Sequence, residues 1–204
     1  MTSKSRLQIL WIFILACLML SGCNRSSQAS GLGIADISDD DLDVNYNGII
    51  LNDQISLEEL TSNLHLSIEE DNESIFTRVA GEVNGIDYAW YQVSYPNKEQ
   101  TDFIFDYLYN ATNKSGRIVS IELKNVPTKR GIIVGDSLEK IKLTYGNNLV
   151  SETATETTND ISLLVKNKEI RFTYEKRTGN IVDIFIDYDS NKAMEEMDIP
   201  SLED

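Results

Sequence analysis

The chain has 204 residues, 41% hydrophobic and 25% charged, with only three prolines. That balance suits one ordinary domain, or two small repeats sharing a core, and excludes long proline-rich linkers. Its 18 Lys+Arg against 33 Asp+Glu give a net charge of −15, which repels nucleic acid and anionic lipid headgroups. It favours a basic partner or divalent cations, or serves solubility alone.

Residues 1–22 divide into the parts of an export signal. Lys4 and Arg6 form a short basic region, and Leu7 to Leu20 is apolar except for Gln8. This stretch is shorter than the roughly 20 residues needed to span a bilayer as a helix. Leu20-Ser21-Gly22-Cys23 follows and resembles the bacterial lipobox: an aliphatic residue, two small residues, then a cysteine. The resemblance implies cleavage before Cys23 and lipid on its thiol, with two acyl chains holding the protein at the outer face of a membrane. Cleavage removes Lys4 and Arg6, so 18 basic residues less 2 leaves 16 against 33 acidic ones, a net of −17. It also removes Cys17, so no intramolecular disulfide can form in the mature product.

Residues 23–45 read as a flexible acidic tether: Asn24 to Gly33 is rich in Ser and Gly, and Asp36 to Asp43 is acidic. Asp43-x-Asn45-x-Asn47-Gly48 matches the opening of an EF-hand loop, but Gln54 stands where the bidentate Glu is needed. Gly48 is better explained as the start of a repeat, and no metal site is expected.

The first repeat unit spans 46–126. Gly48-Ile49-Ile50-Leu51 opens it, and Ser56 with Glu59 fits a capping box. Leu57, Leu60 and Leu64 then fall on one helical face. Strands are predicted at Ile75–Val83, Ile86–Tyr95, Asp102–Tyr109 and Arg117–Lys124, with Asn84-Gly85 as a hairpin turn. Val119, Ile121 and Leu123 alternate with Ser120, Glu122 and Lys124.

The second unit spans 127–188 and opens on Gly131-Ile132-Ile133-Val134. Asp136 can cap with Glu139, Leu138, Ile141 and Tyr145 repeat the helical spacing, and Gly146 is a stop signal. The apolar triplets lie 81 residues apart and the Gly-Ile-Ile openings 83, as a duplication with a two-residue insertion would produce. Strands are predicted at Ile161–Lys166, Glu169–Glu175 and Ile181–Tyr188, with Ile170, Phe172 and Tyr174 on one face. Residues 189–204 read as an acidic tail, frayed or forming a short helix. The expected fold class is α+β: two tandem helix-plus-antiparallel-sheet repeats packed as one domain.

The segment from Gly131 to Ile141, closing on Tyr145-Gly146, together with the duplicated helix-then-sheet order, resembles the fold shared by beta-lactamase inhibitor protein and the small outer-membrane assembly lipoproteins. The likeness covers residues 46–188. The first unit departs from it, with Asn52-Asp53-Gln54 in place of Gly-Asp-Ser. Proteins of this shape mostly bind other proteins, an implication by analogy of fold.

No catalytic motif stands out. His65 is the sole histidine and reads as structural; no triad, zinc pattern, P-loop or dinucleotide fingerprint surrounds it. No cofactor and no catalytic residue is assigned. Phe103, Phe105, Tyr107 and Tyr109 line one face of a strand, with Tyr88 and Trp90 near them, and are read as core in preference to an exposed platform. The opposite face carries Asp102, Ile104, Asp106 and Leu108. The candidate binding residues are Trp90, Tyr91, Asp102 and Asp106, beside Cys23 as the lipidation site. The expected protein is a non-enzymatic, membrane-anchored envelope lipoprotein that binds a protein partner and no nucleic acid. The alternatives are a cation- or small-ligand-binding lipoprotein and an envelope enzyme using carboxylates.

Overall fold

A computed structural model describes residues 37–66, 76–83, 85–146, 149–153 and 155–199. The export signal, Cys17, Cys23 and the tether through residue 36 lie outside the described residues, as do Ile75 and Asn84.

Ile37 to Leu51, much of it assigned to the tether by its acidity, is built into the fold. Asp39–Leu42 forms a 3-10 turn that buries Leu42. Strands β1 (Val44–Tyr46) and β2 (Ile49–Leu51) then form a hairpin that buries Val44 and Leu51. Asn47 and Gly48, with φ of 52° and 88°, make the two-residue turn, the conformation that favours Asn-Gly between twisted strands. The EF-hand-like pattern therefore falls on a hairpin. The Asn45 side chain accepts from the Gly48 N–H at 3.0 Å, and Asp43 accepts from Asn52 at 2.8 Å.

Helix α1 (Leu57–Leu64) starts on the capping box read from Ser56 and Glu59 and buries Leu60 and Leu64. Helix α2 (Leu138–Tyr145) buries Ile141 and Tyr145 and ends at Gly146. Its N-cap is Ser137, not Asp136: the Ser137 hydroxyl accepts from the Lys140 N–H at 3.3 Å. Asp136 instead accepts from the Ile133 N–H at 2.9 Å and from the Lys140 ammonium at 2.6 Å.

The eight strands that follow form one antiparallel sheet, separate from the β1–β2 hairpin. Strands β3 (Phe76–Val83), β4 (Ile86–Tyr95), β5 (Phe103–Asn110) and β6 (Ser115–Leu123) run as a meander after α1. Strands β7 (Leu149–Thr153), β8 (Thr158–Val165), β9 (Lys168–Glu175) and β10 (Ile181–Asp187) do the same after α2. The spatial order is β3-β4-β5-β6-β10-β9-β8-β7, so the last strand of each meander meets the other at the centre. There Leu123 pairs with Ile184 and Ile121 with Ile186.

Alternation decides which side chains meet the helices. Phe103, Phe105, Tyr107, Ile121, Leu163, Ile170, Phe172, Ile184 and Ile186 join Leu60, Leu64, Ile141 and Tyr145 in one core. The aromatic stripe of β5 is therefore core. Tyr88 and Trp90 do not lie beside it; they face the opposite side of the sheet. Val119 also departs from simple alternation. The β5–β6 register passes from Asp106–Ser120 to Tyr107–Ile118 and skips it. This bulge puts Ile118 into the main core and Val119 into a small cluster on the other face.

That second cluster rests on the C-terminal segment. Helix α3 (Ser190–Glu196) and the residues after it press Ala193, Met194, Met197 and Ile199 onto Leu108 and Val119. Residues 190–199 thus cover part of the sheet instead of fraying. No helix among the described residues is long and apolar enough to cross a membrane.

Candidate functional site

With one sheet face filled by the hairpin, α1 and α2, and part of the other covered by α3, the remaining surface of the second face lies over β6, β10, β9, β8 and β7. Register fixes its rows. Glu122, Phe185, Arg171, Ser162 and Val150 stand in line across the five strands. Beside them run Ser120, Asp187, Glu169 and Leu164, and then Thr173 with Asp160.

The centre of this face is polar and internally bonded. The Arg171 guanidinium lies over the Phe185 ring at 5.0 Å, a cation–π contact. Ser162 donates to Glu169, Thr173 to Asp160 at 2.7 Å and Ser120 to Asp106 at 2.7 Å. Lys124 bridges Glu122 and Asp183, 3.5 Å from the latter. Burial, with Glu122 beside it, pushes the Asp183 carboxyl up to about 6. Burial likewise raises Asp187, with the Glu169 charge adding to the effect.

Toward the β7 edge the face turns apolar. Leu164 is 56% exposed and Val150 45%. Leu164 also borders a cleft of about 480 Å³ lined by Ile37, Ser38, Asp39, Asp40, Val165 and Lys166. An apolar contact set in an acidic rim suits a partner offering an apolar side chain with basic neighbours.

The four candidate residues from the sequence do not converge. Tyr91 points into the helix-side core and is 7% exposed, because it sits one position out of phase with Trp90. Trp90 is half-buried against the α3 cluster. Asp102 sits at the end of the sheet, where it accepts from the Tyr46 hydroxyl at 2.8 Å and pushes that phenol up to about 12. Asp106 alone belongs to the open face, held by Ser120 and by Gln92 at 3.3 Å. Asp102 and Asp106 thus serve different parts of the molecule. His65 caps α1 in the left-handed conformation, φ 52°, with its side chain exposed.

Sequence reasoning missed Phe185, Leu164 and Val150 as surface residues. Arg171 was legible, since the alternation in β9 sets it opposite Ile170 and Phe172. Phe185 gives no such signal, because apolar residues flank it on the core face.

Chemically, the Glu122–Lys124–Asp183 cluster sets two carboxylates about one ammonium, each side chain about one-third exposed. Among the described residues no group of three or more His, Cys, Asp or Glu is arranged to hold a metal ion. Comparison with family models, with curated proteins and with solved structures finds no match to this chain.

Proposed function

We propose that this chain is a lipid-anchored, non-enzymatic lipoprotein of the cell envelope whose open sheet face holds a protein partner. The observation that carries this reading is the face over β7–β10. It combines exposed Leu164 and Val150, the Arg171 guanidinium stacked on Phe185 and a surround of carboxylates, all on strands fixed from behind by a continuous core. Rigid strands hold such a patch without an ordering cost on binding. The lipobox-like segment ending in Cys23 supports the anchored address, and the mature charge of −17 supports a basic partner.

The reading includes an internal duplication. Helix followed by a four-strand meander occurs twice, and the two meanders meet through their last strands. That order supports two tandem repeats joined in one sheet, as the resemblance to beta-lactamase inhibitor protein implies.

The test is affinity capture from envelope and secreted fractions, comparing the native chain with Leu164→Ser and Arg171→Ala variants. Leu143→Ser, on the exposed side of α2, serves as the control. A partner retained by the control and lost by both face variants is the expected result. A partner held equally by all four proteins would place binding elsewhere and overturn the assignment of the face.

A further inference from the structure

The same sheet face has a second region, under α3, whose chemistry differs from the acidic centre. Its floor is Leu108 and Val119, both fully buried, with Tyr88 and Trp90 half-buried at the side. Two donors stand at its rim. Arg117 meets Glu196 at 2.6 Å, and the Asn110 side-chain amide donates to the Met197 carbonyl at 3.0 Å. The seat is therefore apolar with a donor rim. It fits a short amphipathic helix bearing a carboxylate on its flank and unpaired carbonyls at its C-terminal end.

The resident occupant is held by a small set of contacts: four buried apolar side chains, an Asp189 cap, the Arg117 ion pair and the Asn110 hydrogen bond. Helix α3 has seven residues, well below the length at which an isolated helix is stable. Both of its ends turn through left-handed aspartates, Asp189 at φ 65° and Asp198 at φ 57°, a conformation Asp tolerates better than most L-residues but at some cost. Its apolar contacts form a cluster separate from the main core and come from an alanine, two methionines and an isoleucine. Methionine adapts to its surroundings and specifies a seat poorly. Opening α3 would break that cluster and leave the helix-side core intact, as expected of a locally unfolding unit.

We propose that α3 is a displaceable occupant of a helix-binding seat, and that a partner segment with the same pattern docks there in exchange. That pattern is small or flexible apolar residues on one face with a carboxylate placed for Arg117. This rests on the reading that the sheet face binds protein. Exchange at the seat joins its floor on Leu108 and Val119 to the open face, so one partner can engage both regions.

The test needs no partner. Hydrogen exchange on the full chain should show amides 193–199 exchanging at least ten-fold faster than those of β5 and β6. A fluorescent peptide of residues 189–199 should then bind a Met194→Asp/Met197→Asp chain, whose own α3 cannot seat, at least ten-fold tighter than the native chain. Adding Arg117→Glu should remove that binding. If the double variant fails to fold, Met194→Ala, which trims one contact, should give an intermediate gain. Amides of α3 protected as well as those of β6, or no peptide binding by a folded opened chain, would make α3 a fixed part of the fold. Dimers formed by exchange of α3 between copies would also overturn the proposal, since the seat would then belong to a second copy. Failure of these measurements leaves the capture experiment untouched, and failure of capture leaves these standing.

Discussion

At the residue scale the fold depends on a few close fits. Gly116 pairs with Tyr109 in the β5–β6 ladder and lies against the ring of Tyr107. A Cβ there would lie 2.5 Å from the Tyr107 ring and 2.7 Å from the Leu108 carbonyl. The ring end could shift, but the carbonyl belongs to the ladder. Gly116→Ala should therefore destabilise the domain by about 1–3 kcal/mol, read as a lower urea midpoint with an unchanged slope. A second fit ties the N-terminal segment to the second meander's approach. Arg130 forks onto Asp41 at 2.5 and 2.9 Å and lies over the Tyr145 ring at 5.3 Å, with side-chain exposures of 15% and 7% for the ion pair. Asp41→Ala should cost about 3 kcal/mol, because the guanidinium stays buried without its fork. Asp39→Ala, which removes the exposed pair with Lys166, should leave the melting temperature unchanged within error. Equal losses from the two changes would show that burial does not govern these ties. Neither fit was legible in the sequence. Asp41 sits in a run of acids whose composition reads as tether, and its partner lies 89 residues away. Gly116 stands just before the predicted strand Arg117–Lys124, and its close fit appears only when the Tyr107 ring is placed against it.

At the scale of elements, the two helices were legible because each carries an apolar triplet at helical spacing and a side-chain cap. The β9 strand was legible because its alternation is clean. Where that periodicity is short or interrupted the reading failed. The β1–β2 hairpin has three-residue strands; its Asn47-Gly48 turn is a strong signal, but Gly48 was absorbed into the repeat. Strand β7 has five residues and no alternation long enough to stand out. The β6 bulge reverses the side of Val119 without any mark in the sequence. The covering role of α3 depends on contacts such as Asn110 to Met197, 87 residues apart. The seam between β6 and β10 carries a pH signature of its own. Asp183 has a folded-state pKa near 6 against an ordinary 3.8, so the folded protein binds more protons between those values. The contribution of this group to stability therefore falls as pH rises from about 4 through about 6, and its ionised form opposes folding above that. Asp183→Asn should flatten that slope and stabilise the protein at pH 7.5 by about 1 kcal/mol after allowing for solvent screening, with no gain at pH 4. Glu59 acts in the opposite sense. Its hydrogen bonds with Ser56 lower its pKa, so its support for α1 is lost as pH falls. A melting-temperature series over pH 4–8 on both chains separates the two, and an unchanged slope in the Asn variant would remove Asp183 from the account.

At the scale of the whole molecule, the proposed address and the fold make separable demands. Four ties of the N-terminal segment end on distant parts of the domain. Asp39 meets Lys166, Asp41 meets Arg130, Asp53 meets Lys168 at 2.7 Å, and the Leu42 carbonyl accepts from the buried Tyr188 hydroxyl at 2.7 Å. These contacts hold Asp39, Asp41, Leu42 and Asp53 to the domain whether or not lipid is attached at Cys23. Lipidation should therefore change where the protein resides and leave its thermal midpoint alone. Two cysteines allow the address to be tested against an internal control. On the proposed reading only Cys23 carries lipid, since Cys17 lies within the segment that is removed. Growth with a clickable palmitate analogue should label the native chain and Cys17→Ser equally, and Cys23→Ser should lose the label. Mass spectrometry of the labelled protein should place its N-terminus at residue 23. Cys23→Ser should keep residues 1–22, because the cut requires the modified cysteine. Label retained in Cys23→Ser, or an N-terminus at another residue, would replace the lipid anchor with an uncleaved apolar segment or ordinary secretion. The domain would then meet its partner without being confined to a membrane surface, and the two-dimensional confinement that raises its effective concentration there would be lost.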